Sequence, residues 1–285
     1  MRTLLILLFL CKYTVAQELP ARWDDLTASD FPKALEKSSQ TCILPIGILE
    51  KHGPHVPIGS DLIHVREWAI RASKKEYAVV FPDYFYGQIN EARQQPGTFS
   101  LPSKLIWDLM EATIEEIARN GFKKIVIING HGGNPEFIRF FMQSQLDKRR
   151  DYAVFFFEPT RDEAFNAKIA QMRKSDPAND QHAGEKETSL LSYYRPDLVQ
   201  MEKAGQESSV NQNRLPIPAY TAIGWYAKFP NHYAGEGAKG NPELGKVYAD
   251  FEIESLAKAL KQIKADTKTL QLQKEFYDRV DNLNK

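Results

Sequence analysis

The chain has 285 residues, 42% of them hydrophobic and 26% charged, a composition that can bury a core and that excludes the disordered and fibrous classes. Lysine plus arginine and aspartate plus glutamate each number 37, so the basic excess expected of a surface for nucleic acid or anionic membrane is missing. Nucleic acid is therefore not an expected partner.

In chain order, Met1-Arg2 is a short basic start, residues 3–11 are an apolar run, and Thr14-Val15-Ala16 offers small residues ahead of a polar stretch. This reads as a signal peptide over residues 1–16, followed by one domain over 17–285 and a periplasmic or secreted location. The apolar run is far shorter than the roughly 20 residues a spanning helix needs, so no membrane association is expected after cleavage. Only Cys42 would survive cleavage, which excludes an internal disulfide; in its apolar run it reads as a buried thiol.

Short β-branched or aromatic runs at 42–48, 77–82, 124–129 and 152–157 alternate with amphipathic stretches. That alternation predicts an α/β fold of three layers, α/β/α, around a mostly parallel sheet. Helices are expected over 61–75, from a cap at Ser103 to Gly121, from Gly184 to Tyr194, and from Pro242 through Ile263. Residues 206–241 are rich in proline, glycine and aromatics and read as a long ordered loop; 274–285 read as a solvated tail or fraying helix.

Three segments carry candidate chemistry. After the first strand, Glu50, His52 and Asp61 place carboxylate, imidazole and carboxylate close together, a plausible set for divalent ions. After the strand at 124–129, Asn129-Gly130-His131-Gly132-Gly133-Asn134 stands where open α/β sheets build their sites; alone, it could equally cradle a phosphate or hold a core histidine. The third, Asp180-Gln181-His182-Ala183-Gly184-Glu185-Lys186-Glu187-Thr188-Ser189, delivers an aspartate and a histidine to a helix start, although acids there also simply favour a helix N-terminus. Trp225, Tyr226, His232 and Tyr233 could shape a pocket or merely pack.

Together, in this order, the three segments resemble the creatininase (creatinine amidohydrolase) family: Glu-x-His-Gly-x-His with a nearby Asp, a strand ending in Asn-Gly-His-Gly-Gly-Asn, and His-Ala-Gly-x-x-Glu-Thr-Ser. Gln95-Pro96-Gly97-Thr98 is similar to the family's Pro-Gly-Thr stretch, and the likeness spans residues 22–265. The resemblance implies a metal-dependent amidohydrolase of small, cyclic or formamide substrates, with two divalent ions (zinc, manganese or iron) and a homo-oligomeric, often hexameric, assembly. Carried over by motif, Glu50 and His131 would bind one ion, His52 the other, and Asp61 would bridge them. His182, steered by Asp180, would be the proton donor. Thr98, Gly132, Asn179 and His232 are candidate substrate contacts.

The chain departs from the creatinine-cleaving pattern, having Gly132 and Gly133 for a Tyr-Glu pair and Asn179 for a tryptophan, which turns the expectation away from creatinine. Gly133 cannot ligate, and Glu187, grouped with His182 as a catalytic candidate, could supply the missing fifth ligand, or water could. Two other readings stay open: a peptidase of the same family, and a non-catalytic secreted protein stabilised by metal.

Overall fold

The computed structural model describes residues 18–283; the expected signal peptide lies outside them. The elements run α1 (Phe31–Lys37), β1 (Thr41–Ile46), α2 (Ser60–Ser73), β2 (Val79–Val80), α3 (Ser103–Arg119), β3 (Lys124–Asn129), α4 (Pro135–Ser144), β4 (Ala153–Phe156), α5 (Glu163–Met172), α6 (Glu185–Tyr194), α7 (Gly224–Lys228), α8 (Pro242–Ala265) and α9 (Lys268–Val280). The strands form one parallel sheet in the order β2-β1-β3-β4.

Helices cover both faces, because the central strands are apolar on both sides. Side-chain alternation sends Ile43, Val126 and Ile128 to one core with Trp68 of α2, Leu190 of α6 and Tyr248 of α8. It sends Cys42, Leu44, Ile125 and Ile127 to the other, with Ile114 of α3 and Phe141 of α4. The Cys42 thiol is fully buried, and burial pushes its pKa up. No described helix is long and apolar enough to cross a membrane.

Several local expectations need correction. The second strand shrinks to Val79–Val80: the Phe81 N–H reaches the Ile43 carbonyl, but Pro45, next in the ladder, has no N–H to return. Ser103 is the first residue of α3, not its side-chain cap, while Gly121 closes that helix end with φ +103°. The long loop contains α7. Of the two readings of 274–285 the helical one holds, but the helix is docked and not merely solvated: α9 buries Tyr277, whose hydroxyl donates to the Gln145 carbonyl at 3.1 Å.

What positions the site is the seating of α2 on the sheet's C-terminal edge. A Cβ on Gly47, just past β1, would stand 2.4 Å from Leu62 Cα, and one on Gly130, just past β3, 2.5 Å from the Asp61 carbonyl oxygen. Only glycines let the first turn of α2 approach both strand ends so closely. Gly47→Ala should therefore lower stability by about 1–3 kcal/mol, the usual cost of overpacking against backbone. An unchanged urea midpoint would show that α2 is not seated this way.

Candidate metal centre and active site

The three motif segments meet at this edge. Glu50 and His52 follow β1, Asp61 sits in the first turn of α2, His131 follows β3, and His182 and Glu187 flank the start of α6. Glu50, His52, Asp61, His131 and His182 are all buried. His131 Nδ1 lies 2.7 Å from Glu50 Oε1 and 3.1 Å from Asp61 Oδ2. The other Asp61 oxygen, Oδ1, is 3.0 Å from His52 Nε2. Glu187 Oε2 stands 3.8 Å from His52 Nε2 and 3.9 Å from His182 Nδ1.

Three sets of ligand-type atoms result among the described residues, Glu50/Asp61/His131, His52/His182/Glu187 and Glu50/His182/His232, each with its atoms within 4.8 Å of one another; in the third, His232 is already engaged with Glu50 and Trp225. The chemistry of the first set fits a cation. Glu50 Oε1 and Asp61 Oδ2 are buried without a hydrogen-bond partner among the described residues, although both approach His131 Nδ1. Carboxylate oxygens and an imidazole nitrogen that close in without hydrogen-bonding geometry are aimed at a common point, and hard or borderline divalent ions take this donor set.

The electrostatics follow from burial and its compensation. Burial disfavours the charged form of Glu50, but the neighbouring imidazoles, His131 foremost, outweigh it and hold the carboxyl well below the usual carboxylate range. Burial likewise opposes charge on His52 and His131. Asp61 and Glu50 overcome it, lifting His52 to about 10 and His131 well above its ordinary value. His182 differs: burial prevails over the pull of Glu50, its pKa is lowered, and the ring is neutral at pH 7.

Hydrogen bonds fix the ring orientations. His52 Nδ1 faces the Glu50 carbonyl at 3.2 Å and must donate, so Nε2, protonated toward Asp61 in the metal-free fold, is the nitrogen left bare when the ring gives up its second proton. His182 Nε2 donates to the Lys51 carbonyl at 2.8 Å, leaving Nδ1 bare toward Glu187. Ala183, in a left-handed conformation at φ +56°, donates its N–H to Glu187 Oε2 at 2.6 Å and orients that carboxylate. His55, the second histidine of the first motif, is turned away from the ligand sets and pairs with Thr188 Oγ1 at 2.8 Å, tying the first motif to the third.

The remaining candidates divide. Asp180 does not steer His182: it accepts the Glu185 N–H at 2.7 Å and the Lys186 N–H at 3.2 Å and pairs with Arg173, so it caps α6. His232 does not line the cavity as a substrate contact. Its Nδ1 accepts from Trp225 Nε1 at 2.8 Å and its Nε2 bonds Glu50 Oε2, holding that carboxylate in place. Asn179 is exposed and bonded to Asp176 at 2.9 Å, and Thr98 lies in a turn whose neighbour Phe99 bonds the Leu49 carbonyl at 3.0 Å; neither lines the cavity. Gly132 does, and a Cβ on it would meet nothing within 4 Å. Tyr233 packs, with its hydroxyl on the Ala204 carbonyl at 3.0 Å.

The cavity has a volume of about 400 Å³. Asp61, His131, His182 and Glu187 face it from the sheet edge, and Trp68, Phe157 and Leu190 form an apolar wall. Such a space suits a small ligand. Sequence reasoning missed the role of His232, because it lies 38 residues past the end of α6 in a segment with little periodicity; only its lone imidazole in an aromatic loop signalled it.

Comparison with known proteins agrees with this geometry. A family model described as creatininase, creatinine amidohydrolase, matches residues 24–260. The creatinine amidohydrolase of Pseudomonas putida is 27% identical over 194 residues, covering 63% of this chain and 74% of that protein. The mycofactocin precursor peptide peptidase of Mycolicibacterium smegmatis is 31% identical over 168 residues, covering 55% and 59%. A mutant creatininase of the Zn-Zn type superposes with a TM-score of 0.74 at 21% identity, over 87% of this chain and 100% of that one, a likeness of fold. The family model spans all three motif segments and the helices that carry them, and the chain belongs to the creatininase family.

Proposed function

We propose that the protein is a metal-dependent amidohydrolase that cleaves a C–N amide bond in a small molecule. The observation that carries this is the convergence of unpartnered, buried carboxylate oxygens and a histidine nitrogen at the edge of a small-molecule-sized cavity. Two divalent ions, zinc, manganese or iron, are the proposed cofactors; Glu50 and His131 would hold one, His52 and Glu187 the other, and Asp61 would be shared between them. When bound, such ions bring the pKa of water toward neutrality and polarise the amide oxygen.

The chain's own residues do the rest. His182, neutral with Nδ1 bare, accepts a proton from the attacking water as the new C–O bond forms. It then returns that proton to the departing nitrogen as the C–N bond breaks. The Lys51 carbonyl holds the ring still throughout, and Glu187 faces Nδ1 while it is charged. The apolar wall excludes bulk water from the reacting face.

A peptidase reading is favoured by one observation, the 31% identity to a peptide peptidase. Export remains part of the proposal, supported by the sequence of residues 1–16. So does self-association, supported by the exposed apolar side chains Val210, Ile217, Tyr220 and Ile223.

Three outcomes are expected. Asp61→Ala should lose both ions, read by elemental analysis of dialysed protein; unchanged metal content would remove Asp61 from its bridging place. His182→Ala should retain the metal yet lower turnover of small amides and formamides by roughly 10²–10⁴. Creatinine should be a poor substrate beside them, and loss of metal instead of rate would make His182 a ligand.

The third concerns protons. With its pKa near 10 in the metal-free fold, His52 is protonated at pH 7, and a ligating imidazole must be neutral. Metal uptake should release protons, and apparent affinity should rise as pH climbs toward 10. Calorimetric titration in buffers of different ionisation enthalpy measures the release; a heat independent of buffer would contradict it. Because the folded value lies above the ordinary 6.5, the stabilisation this charge gives the metal-free protein is complete below about pH 6.5 and fades as pH rises toward 10.

A further inference from the structure

His131 presents one ring nitrogen to the ligand set and leaves the other facing away. Nδ1 points at Glu50 and Asp61, while Nε2 is buried and has no hydrogen-bond partner among the described residues. A neutral imidazole that ligates through Nδ1 carries its proton on Nε2, and a buried N–H of that kind needs an acceptor.

The position of Gly133 shows where one stands. A Cβ on Gly133 would lie 2.5 Å from His131 Nε2 and 2.9 Å from Glu91 Oε1, so the bare α-carbon leaves open the gap between the imidazole and that carboxylate. Glu91 belongs to the short helical turn Asn90–Ala92. It is half-buried, and its carboxylate makes no hydrogen bond or ion pair among the described residues. Asn134, next to Gly133, accepts the Gln88 N–H at 2.9 Å and anchors the segment that carries Glu91 to the His131 loop.

We propose that Glu91 is the positioning residue of His131: its carboxylate accepts the Nε2–H across the gap over Gly133 when Nδ1 takes a metal ion. The bond fixes the tautomer, holds the ring toward Glu50 and Asp61, and makes Nδ1 a stronger donor. It also gives Gly133 a reason of its own, since any side chain there would fill the gap and push the ring. The proposal rests on the metal reading of the site.

The test uses the full mature chain with zinc as the probe. Affinity is measured by competition with a chromophoric chelator, and the Nε2–H of the zinc-loaded protein is followed by proton–nitrogen NMR, assigned by its loss in His131→Ala. Glu91→Ala should weaken zinc binding by roughly 10–100-fold, the usual effect of removing such a carboxylate, and should move or abolish the Nε2–H resonance. Glu91→Gln, a neutral acceptor of the same shape, should keep the resonance at a changed shift and recover part of the affinity. Gly133→Ala should mimic Glu91→Ala. Wild-type affinity and an unmoved resonance in both Glu91 variants would overturn the proposal while leaving the metal reading intact, and would assign the acceptor to water. A wild-type chain that holds no zinc, manganese or iron would overturn both.

Discussion

Two carboxylates, Glu50 and Asp61, are held nearly free of solvent beside one imidazole nitrogen, and the rest of the architecture is arranged around that costly concentration of charge. In the metal-free fold, protonated His52 and His131 balance it. A cation can take the place of those protons on the same donor atoms, which keeps the centre tolerable in either state. A purely structural ion pair would direct its hydrogen bonds along the N–H vectors. Here Glu50 Oε1 and Asp61 Oδ2 lie close to Nδ1 and still make no such bond.

The scaffold serves this centre by rigidity at its back. Trp225, His232 and Glu50 form a chain of contacts that fixes one carboxylate from behind, and the Glu50 and Lys51 carbonyls lock the rings of His52 and His182. Asp180 and Glu185 work at a further remove. Glu185 accepts the Lys174 and Ser175 N–H groups, Asp180 caps α6, and the helix start that carries His182 and Glu187 is pinned to the chain before it. Side chains fixed in this way cost little to reorganise when charge develops beside them.

How much of this was legible in the sequence follows from the range of each interaction. The β-branched run at 125–128 and the helix spacing of 105–117 are local signals, and both elements formed where the pattern put them. The ligand candidates were legible because each follows a strand or begins a helix at the same sheet edge, which topology alone brings together. His232 and Glu91 were not, since irregular segments reach the site only through tertiary packing and carry no periodic signature. Asp180 was misread for the opposite reason: proximity in sequence to His182 suggested a dyad, but an aspartate five residues ahead of a helical N–H is satisfied by the cap first.

Two adjacent glycines face opposite surroundings, and the contrast bears on what the cavity can accept. Gly132 borders open space, so its missing side chain adds volume on the ligand side of His131; Gly133 is crowded, so its missing side chain keeps a passage clear on the far side. In the same cavity Trp68, Phe157 and Leu190 offer an apolar surface, while the buried pair His64–Glu252, 2.6 Å apart, and the cations Arg161 and Lys186 supply polar contacts. Glu252 is itself held below the usual carboxylate range against its burial, chiefly by His64, so it enters the cavity as a charged acceptor already engaged on one side. A ligand of this cavity therefore meets hydrogen-bonding groups whose positions are set before it arrives. Discrimination rests on whether its own polar groups match them, since one buried polar group left unmatched outweighs the gain from any single apolar contact.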